Sequence, residues 1–403
     1  MLPAALAERD AALAALVPGG GATSAADIER AFIDLASRRD GELSDADEAE
    51  RRALLGKAIE IEGACLERIE AAAASGEVVP ERDLAAALRD YFDRDGGGTV
   101  DNVRRLAGGF SKETAAFVLL NGHGARTPLV LRKEQAVRYR TTVDREYGIL
   151  TALHAAGLPV PEPIRLEMGD NPLGEPFLTV RHVDGGVMGD VWGADSRPPR
   201  SLAEDLARLL ARLHTLDVAP FDLPEDRGRS VVQRITAHVA RSRDAWHAYK
   251  LREAPLLEAL FAWLMANVPE KIDRPVLVHG DAGFHNIIAR DGRIAALVDW
   301  ETAHVGDPAE DLSYVRPYME PILPWDEFLA IYRAAGGPAY QAENARYYEV
   351  WRGVWRATAS IIRAGMFERH PDCSLNAALA AEVFTQRFLV SAARQAGFSG
   401  GDA

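Results

Sequence analysis

The sequence predicts an α+β protein of two lobes, a small antiparallel sheet followed by a larger helical body, with an N-terminal helical extension in front of both. Three observations predict it. Apolar residues recur at helical spacing before Asp93, short runs separated by turn residues follow between Val100 and Lys133, and helical periodicity dominates again after Ser201. With 403 residues and 48% hydrophobic content, the chain has the size of about two to three domains and can bury a substantial core.

The extension comes first. Ile28, Phe32 and Leu35 fall on one helical face, and Ser44 with Asp47 opens a longer helical run to about Ala74, ahead of Gly76. The glycine run in "DRDGGGTV" (Asp93 to Val100) marks a boundary, which divides the chain into a helical accessory region (1–95), a sheet-rich lobe (96–185) and a helical lobe (186–403). The accessory region reads as a module that docks on the rest or mediates self-association.

After the boundary, "VDNVRRLAGGFSKETAAFVLLNGHGARTPLVLRK" reads as strand, glycine turn, strand, Asn121-Gly122 turn, strand. "TVDREYGILTALHAAG" gives a helix and "PFLTVRHVDGG" a strand; "SLAEDLARLLARLH" gives a helix opened by a Ser201/Glu204 capping box. Leu202, Leu206, Leu209 and Leu213 form its core stripe.

Composition narrows the function. A net charge of −14 excludes a phosphate-backbone or anionic-membrane binder, which needs clustered Lys and Arg. Cys65 and Cys373 have no metal-type spacing, the N-terminus lacks the basic start of a signal peptide, and no run is long enough to span a bilayer. A cytoplasmic protein is expected.

The chemistry concentrates in "VLVHGDAGFHNIIARDGRIAALVDWE" (Val276 to Glu301). A strand ends at His279-Gly280-Asp281, a second begins after Asn286, and a third ends at Asp299. Asp291-Gly292 folds the last two into a hairpin, so Asn286 and Asp299 must lie within a rung or two of each other. Three oxygen-bearing side chains, those of Asp281, Asn286 and Asp299, thus converge at one end of a small sheet. Hard oxygen donors of this kind suit Mg2+, which takes one or two protein ligands and completes its shell with water and substrate phosphates. A nucleotide is the natural partner. His279 reads as a buried hydrogen-bonding residue that fixes the loop, and His285 receives no role.

The pattern HGD, Asn five residues after the Asp, then "DWE" and "GDPAEDL" resembles the aminoglycoside phosphotransferase and choline kinase-like family, over about Val100 to Phe384. The resemblance implies a protein-kinase-like fold and an ATP-dependent kinase acting on a small-molecule hydroxyl. It implies Asp281 as catalytic base, Asn286 and Asp299 as magnesium ligands, Asp307 and Asp311 as supports of the active-site floor, and Glu301 near metal or substrate. "DWETAHVGDP" looks closest to the branch associated with acyl-CoA dehydrogenases, away from a dedicated aminoglycoside or macrolide resistance enzyme.

At the nucleotide end, Gly108, Gly109 and Ser111 can present N–H and hydroxyl donors to phosphate, and with Thr114 they resemble the family's phosphate-covering loop. Kinase-like folds hold the α- and β-phosphates with a third-strand cation paired to a helix carboxylate. "PLVLRK" offers Arg132 and Lys133 on opposite faces, and the next helix offers Glu146. Alternation alone leaves the choice between the two cations open; the resemblance favours Arg132.

Competing classes fit less well. HGD in place of HRD, "VDW" in place of DFG and the lack of an APE-like segment argue against a protein kinase. A non-catalytic nucleotide-binding scaffold would be expected to have lost Asp281, Asn286 or Asp299, and a metal-dependent hydrolase would call for more His ligands.

Overall fold

The first three strands form the expected meander. In a computed structural model, β1 (Thr99–Arg105), β2 (Lys112–Leu120) and β3 (Arg126–Glu134) pair antiparallel in sequence order. The β2–β3 turn is built on Asn121, whose side chain accepts from the backbone N–H of His123 and Ala125 at 3.0 and 2.9 Å. β5 (Phe177–Arg181) adds beside β3, and β4 (Pro163–Glu167) closes the order β1-β2-β3-β5-β4. The structure describes residues 44–73, 84–94, 98–106, 112–134, 142–189, 198–221, 226–250, 253–339, 341–369 and 375–398, with short pieces among the first 37. Ile28, Phe32, Leu35, Gly96 and Gly97 lie outside the described residues.

By contact density the chain divides into two units. One comprises residues Glu81–Gly228 and Asp273–Tyr340, the other Met1–Pro80, Arg229–Ile272 and Gln341–Ala403. The second contains α1 (Asp45–Ala73), α5 (Val231–Tyr249), α6 (Pro255–Ala266), α9 (Ala345–Arg369) and α10 (Leu375–Gln395). Its buried Glu258 accepts from Trp246 Nε1 at 2.6 Å and Arg243 Nε at 2.9 Å, so the carboxylate is compensated inside the helical packing.

The first unit holds the five-stranded sheet and every described candidate site residue. Helix α2 (Leu84–Arg94) lays Leu84, Leu88, Tyr91 and Phe92 against Phe117, Leu129, Leu131 and Phe177 on one sheet face. The opposite face, through Val130, Leu178 and Val180, joins the main core with α3 (Val143–Ala155) and α4 (Arg200–Leu213). The helix preceding the glycine run is therefore part of the sheet's packing. Phe92→Ala, which empties a 2%-exposed position, is expected to destabilise this unit by about 3–5 kcal/mol, read as a lower urea midpoint with the m-value unchanged.

Helix α4 corrects one local expectation. It begins at Arg200 behind Pro199, with no side-chain cap, and Ser201 does not form the Ser201/Glu204 capping box. Its hydroxyl instead donates to Gly292 O at 2.9 Å, tying the first turn of α4 to the Asp291-Gly292 turn. The proline fixes the helix start one residue early, and a tertiary acceptor takes the hydroxyl.

The three strands between Val276 and Leu297 are divided between two ladders. β8 (Ile287–Arg290) and β9 (Arg293–Leu297) form the hairpin, with Asp291 and Gly292 both at positive φ (52° and 72°), the geometry of a type I′ turn. β6 (Gly186–Val187) extends that ladder beyond β8. β7 (Val276–Val278), expected in the same small sheet, pairs instead with β10 (His304–Gly306). Helices α7 (Pro308–Met319) and α8 (Trp325–Ala334) follow.

Candidate active site

The loop after β7 is held from below by one buried carboxylate. Asp311, on α7, accepts from the backbone N–H of His279 and Gly280 at 2.9 and 2.8 Å, and Gly280 takes a φ of +81° that favours glycine. Asp311 also meets His214 Nε2 at 3.1 Å, and His214 Nδ1 lies 2.8 Å from Tyr332 Oη. Burial alone would push the Asp311 carboxyl up, but the His214 ring and the His279 backbone N–H hold it below the ordinary range. Burial, with Asp311 nearby, pushes the Tyr332 phenol up. Asp307 caps α7 by accepting from Ala309 N at 2.9 Å.

His279 is fully buried, and its two ring nitrogens have different jobs. Nδ1 accepts from Asp281 N at 3.1 Å, and Nε2 donates to Val298 O at 3.1 Å, which assigns the neutral Nε2–H tautomer. One imidazole thus fixes both the Asp281 backbone and the residue before Asp299. Trp300 packs on it with ring centroids 4.5 Å apart.

Asp281 and Asn286 are brought into contact. Asn286 Nδ2 donates to the Asp281 carbonyl at 2.8 Å and to Asp281 Oδ2 at 3.1 Å. His285 Nε2 lies 3.2 Å from the same Oδ2, and the Tyr314 hydroxyl, from α7, donates to Oδ1. Val298 N donates to Asn286 O at 2.9 Å, which places Asp299 one residue beyond Asn286's rung, as the hairpin argument requires. Asp299 adopts a left-handed backbone, φ 66° and ψ 57°, at a cost of about 1–2 kcal/mol for a residue with a side chain.

Above it lies a closed charge network. Arg132 Nε is 2.7 Å from Glu146 Oε1, and an Arg132 Nη donates to Asp299 Oδ1 at 2.6 Å. Lys112 Nζ is 2.5 Å from Glu301 Oε2 and 3.4 Å from Glu146 Oε2. Burial would lower the Lys112 ammonium, but Glu301 and Glu146 hold it above the ordinary lysine range. Lys133 is elsewhere, 2.7 Å from Glu113. The structure therefore gathers Arg132, Glu146, Asp299 and Glu301 with Asp281 and Asn286 in one unit. Gly108, Gly109 and Ser111 lie outside the described residues.

Lys112 and Tyr314 were missed from sequence. Lys112 had a legible signal: Thr114 is in register with Arg132, and strand alternation puts Lys112 on the same face as Thr114. Tyr314 had none, because a tyrosine in an amphipathic helix reads as packing.

The sequence profile of the phosphotransferase enzyme family (APH) matches residues 102–353, more than half of the chain and the whole of this constellation. The chain belongs to that family. Among its relatives, acyl-CoA dehydrogenase family member 11 of Gallus gallus is 32% identical over 245 residues, covering 59% of this chain and 30% of the chicken protein. The Rattus norvegicus protein of that name is 29% identical over 253 residues, covering 59% of this chain and 32% of its own length. The chain thus matches about a third of the length of these curated relatives. Among solved structures, a Ralstonia eutropha protein assigned as an aminoglycoside phosphotransferase superposes with a TM-score of 0.56 at 19% identity, covering 78% of this chain and 98% of that one. A thermostable mutant of aminoglycoside phosphotransferase APH(4)-Ia, in ternary complex with AMP-PNP and hygromycin B, gives 0.51 at 18% identity, over 76% of this chain and 99% of that one. This phosphotransferase-family chain has their protein-kinase-like fold with an added N-terminal helical extension.

Proposed function

We propose that the protein transfers the γ-phosphoryl group of ATP to a hydroxyl of a small molecule. The observation that carries this reading is the meeting of Asp281 with Asn286 beside Asp299, under the ion pair of Arg132 and Glu146. The donor set fits Mg2+: an amide oxygen and a carboxylate are hard ligands, and two protein ligands leave coordination positions for phosphate and water. Asn286 suits a divided task, since its Nδ2 is committed to Asp281 while its Oδ1 is the atom chemically suited to a cation. Bound there, the metal supplies charge neutralisation on the transferring phosphoryl.

The chain's own residues do the positioning. Asp281 orients the acceptor hydroxyl and takes its proton as oxygen attacks phosphorus and the bond to the leaving ADP oxygen breaks. Arg132, steadied by Glu146, offers its guanidinium to the α- and β-phosphates. The family resemblance of the sequence assigns Gly108, Gly109 and Ser111, which lie outside the described residues, to the remaining phosphate contacts. Lys112 holds Glu301 and shares Glu146 with Arg132, so the carboxylates stay compensated when the guanidinium turns to phosphate. The sequence relatives are named for acyl-CoA dehydrogenases rather than antibiotic phosphotransferases, which favours an acceptor other than an aminoglycoside or macrolide.

Isothermal titration with ATP, with and without magnesium, tests the metal assignment. Asn286→Ala and Asp299→Ala are each expected to weaken the magnesium-dependent part of binding by about tenfold or more, leaving the metal-free part close to the parent's. If Asp299→Ala binds the magnesium complex as the parent does, the assignment is wrong. Screening a library of hydroxyl compounds for ATP consumption then identifies the acceptor.

A further inference from the structure

His285 lies between the HGD loop and Asn286, and nothing in the proposed chemistry uses it. We infer that His285 and Tyr314 form a clamp that fixes the rotation of the Asp281 carboxylate, making both positioning residues for phosphoryl transfer. The inference rests on the reading of Asp281 as the proton-accepting group.

The geometry carries it. A carboxylate turns easily about its terminal bond, whose torsional preference is broad. Asn286 holds the backbone carbonyl and Oδ2 from one side, which leaves that rotation only partly fixed. His285 Nε2 adds a second donor on Oδ2 at 3.2 Å, and the Tyr314 hydroxyl holds the other oxygen, Oδ1, from α7. An ionised carboxylate only accepts, so His285 must carry its proton on Nε2. Donors from two separate elements, acting on both oxygens, set the plane of the carboxylate. Placing a reacting group within a fraction of an ångström is worth up to about a hundredfold in rate.

The backbone makes room for this ring. A Cβ at Gly283 would lie 2.5 Å from His285 Cε1, 2.7 Å from its Nδ1 and 3.4 Å from Tyr314 Cε1. Gly283 has φ −79° and ψ 166°, which any residue adopts, so its lack of a side chain serves the neighbouring rings and not the chain direction. Gly283→Ala therefore displaces the His285 ring without deleting a donor or straining the backbone.

The test measures magnesium-dependent ATP hydrolysis, with water as acceptor, alongside ATP binding and thermal midpoint for His285→Leu, His285→Gln, Tyr314→Phe and Gly283→Ala. His285→Leu, Tyr314→Phe and Gly283→Ala are expected to lower kcat by about tenfold to a hundredfold with KM for ATP and ATP affinity little changed; His285→Gln, which keeps an N–H donor, recovers part of the loss. Equal kcat in parent, His285→Leu and Gly283→Ala overturns the clamp, as does a loss that moves only with the thermal midpoint. A readout independent of turnover is the imidazole 15N spectrum. His285 is expected as the Nε2–H form, shifting in Asp281→Asn, and an Nδ1–H form overturns the inference even if the parent hydrolyses no ATP. A parent that neither binds nor hydrolyses magnesium-ATP while its His285 signal behaves as expected defeats the kinase reading and leaves the contact intact.

Discussion

Asp281→Asn is expected to lower phosphate transfer by about a hundredfold to ten-thousandfold, the range for losing a positioned general base, with ATP affinity close to the parent's. The asparagine is nearly isosteric, so the loop N–H bonds to Asp311 and the His279 bridge remain in place. What changes is the acceptor capacity of one atom pair. Tyr314, His285 and Asn286 all donate to that carboxylate, and an amide at position 281 must turn an NH2 toward one of those donors. The measurement is single-turnover transfer from ATP to a hydroxyl compound found by screening, with titration of ATP run in parallel. Near-normal turnover removes Asp281 from its role; lost ATP binding indicates instead that the loop has rearranged.

The second large effect is expected in the charge network. Arg132→Ala and Glu146→Ala should each raise KM for ATP and lower turnover, and the double variant should be little worse than either, because each change disables the same pair. Lys112→Ala should behave like them, since it leaves Glu301 and Glu146 short of a cation in a site where Lys112 is 2% exposed. Removing one partner of a buried ion pair costs about 3–5 kcal/mol, so the thermal midpoint should fall as well. Lys133→Ala should be mild, because its ammonium is engaged by Glu113 away from Glu146. Steady-state kinetics with ATP as the varied substrate compares the five variants. A severe loss in Lys133→Ala beside a mild one in Arg132→Ala reverses the assignment.

Much of this site was legible in the sequence because its determinants are local. Asp291-Gly292 dictates a two-residue hairpin, and the hairpin forces Asn286 and Asp299 onto neighbouring rungs whatever surrounds them. The spacing from Asp281 to Asn286 is a single turn of chain, closed by hydrogen bonds from one amide to one aspartate. The three-strand meander and the helix bearing Glu146 follow in the same way from alternation and from the Asn121 turn.

What required the tertiary structure was every choice between equivalent faces and every partner distant in the chain. Leu129 and Leu131 on one side of β3 and Val130 on the other are equally apolar, so periodicity does not say whether Arg132 or Lys133 enters the site. Helix α2 decides it by covering the Leu129 and Leu131 face with Leu88 and Phe92, which turns Arg132 toward Glu146 and Asp299. Ser201 likewise gave up its expected cap once Gly292 O, 91 residues away, came within reach. Lys112 meets Glu301 across 189 residues and Tyr314 meets Asp281 across 33. Local pattern fixes which atoms a segment can present, whereas the pairing of buried charges depends on which segments the core brings together, and that is a property of the whole packing.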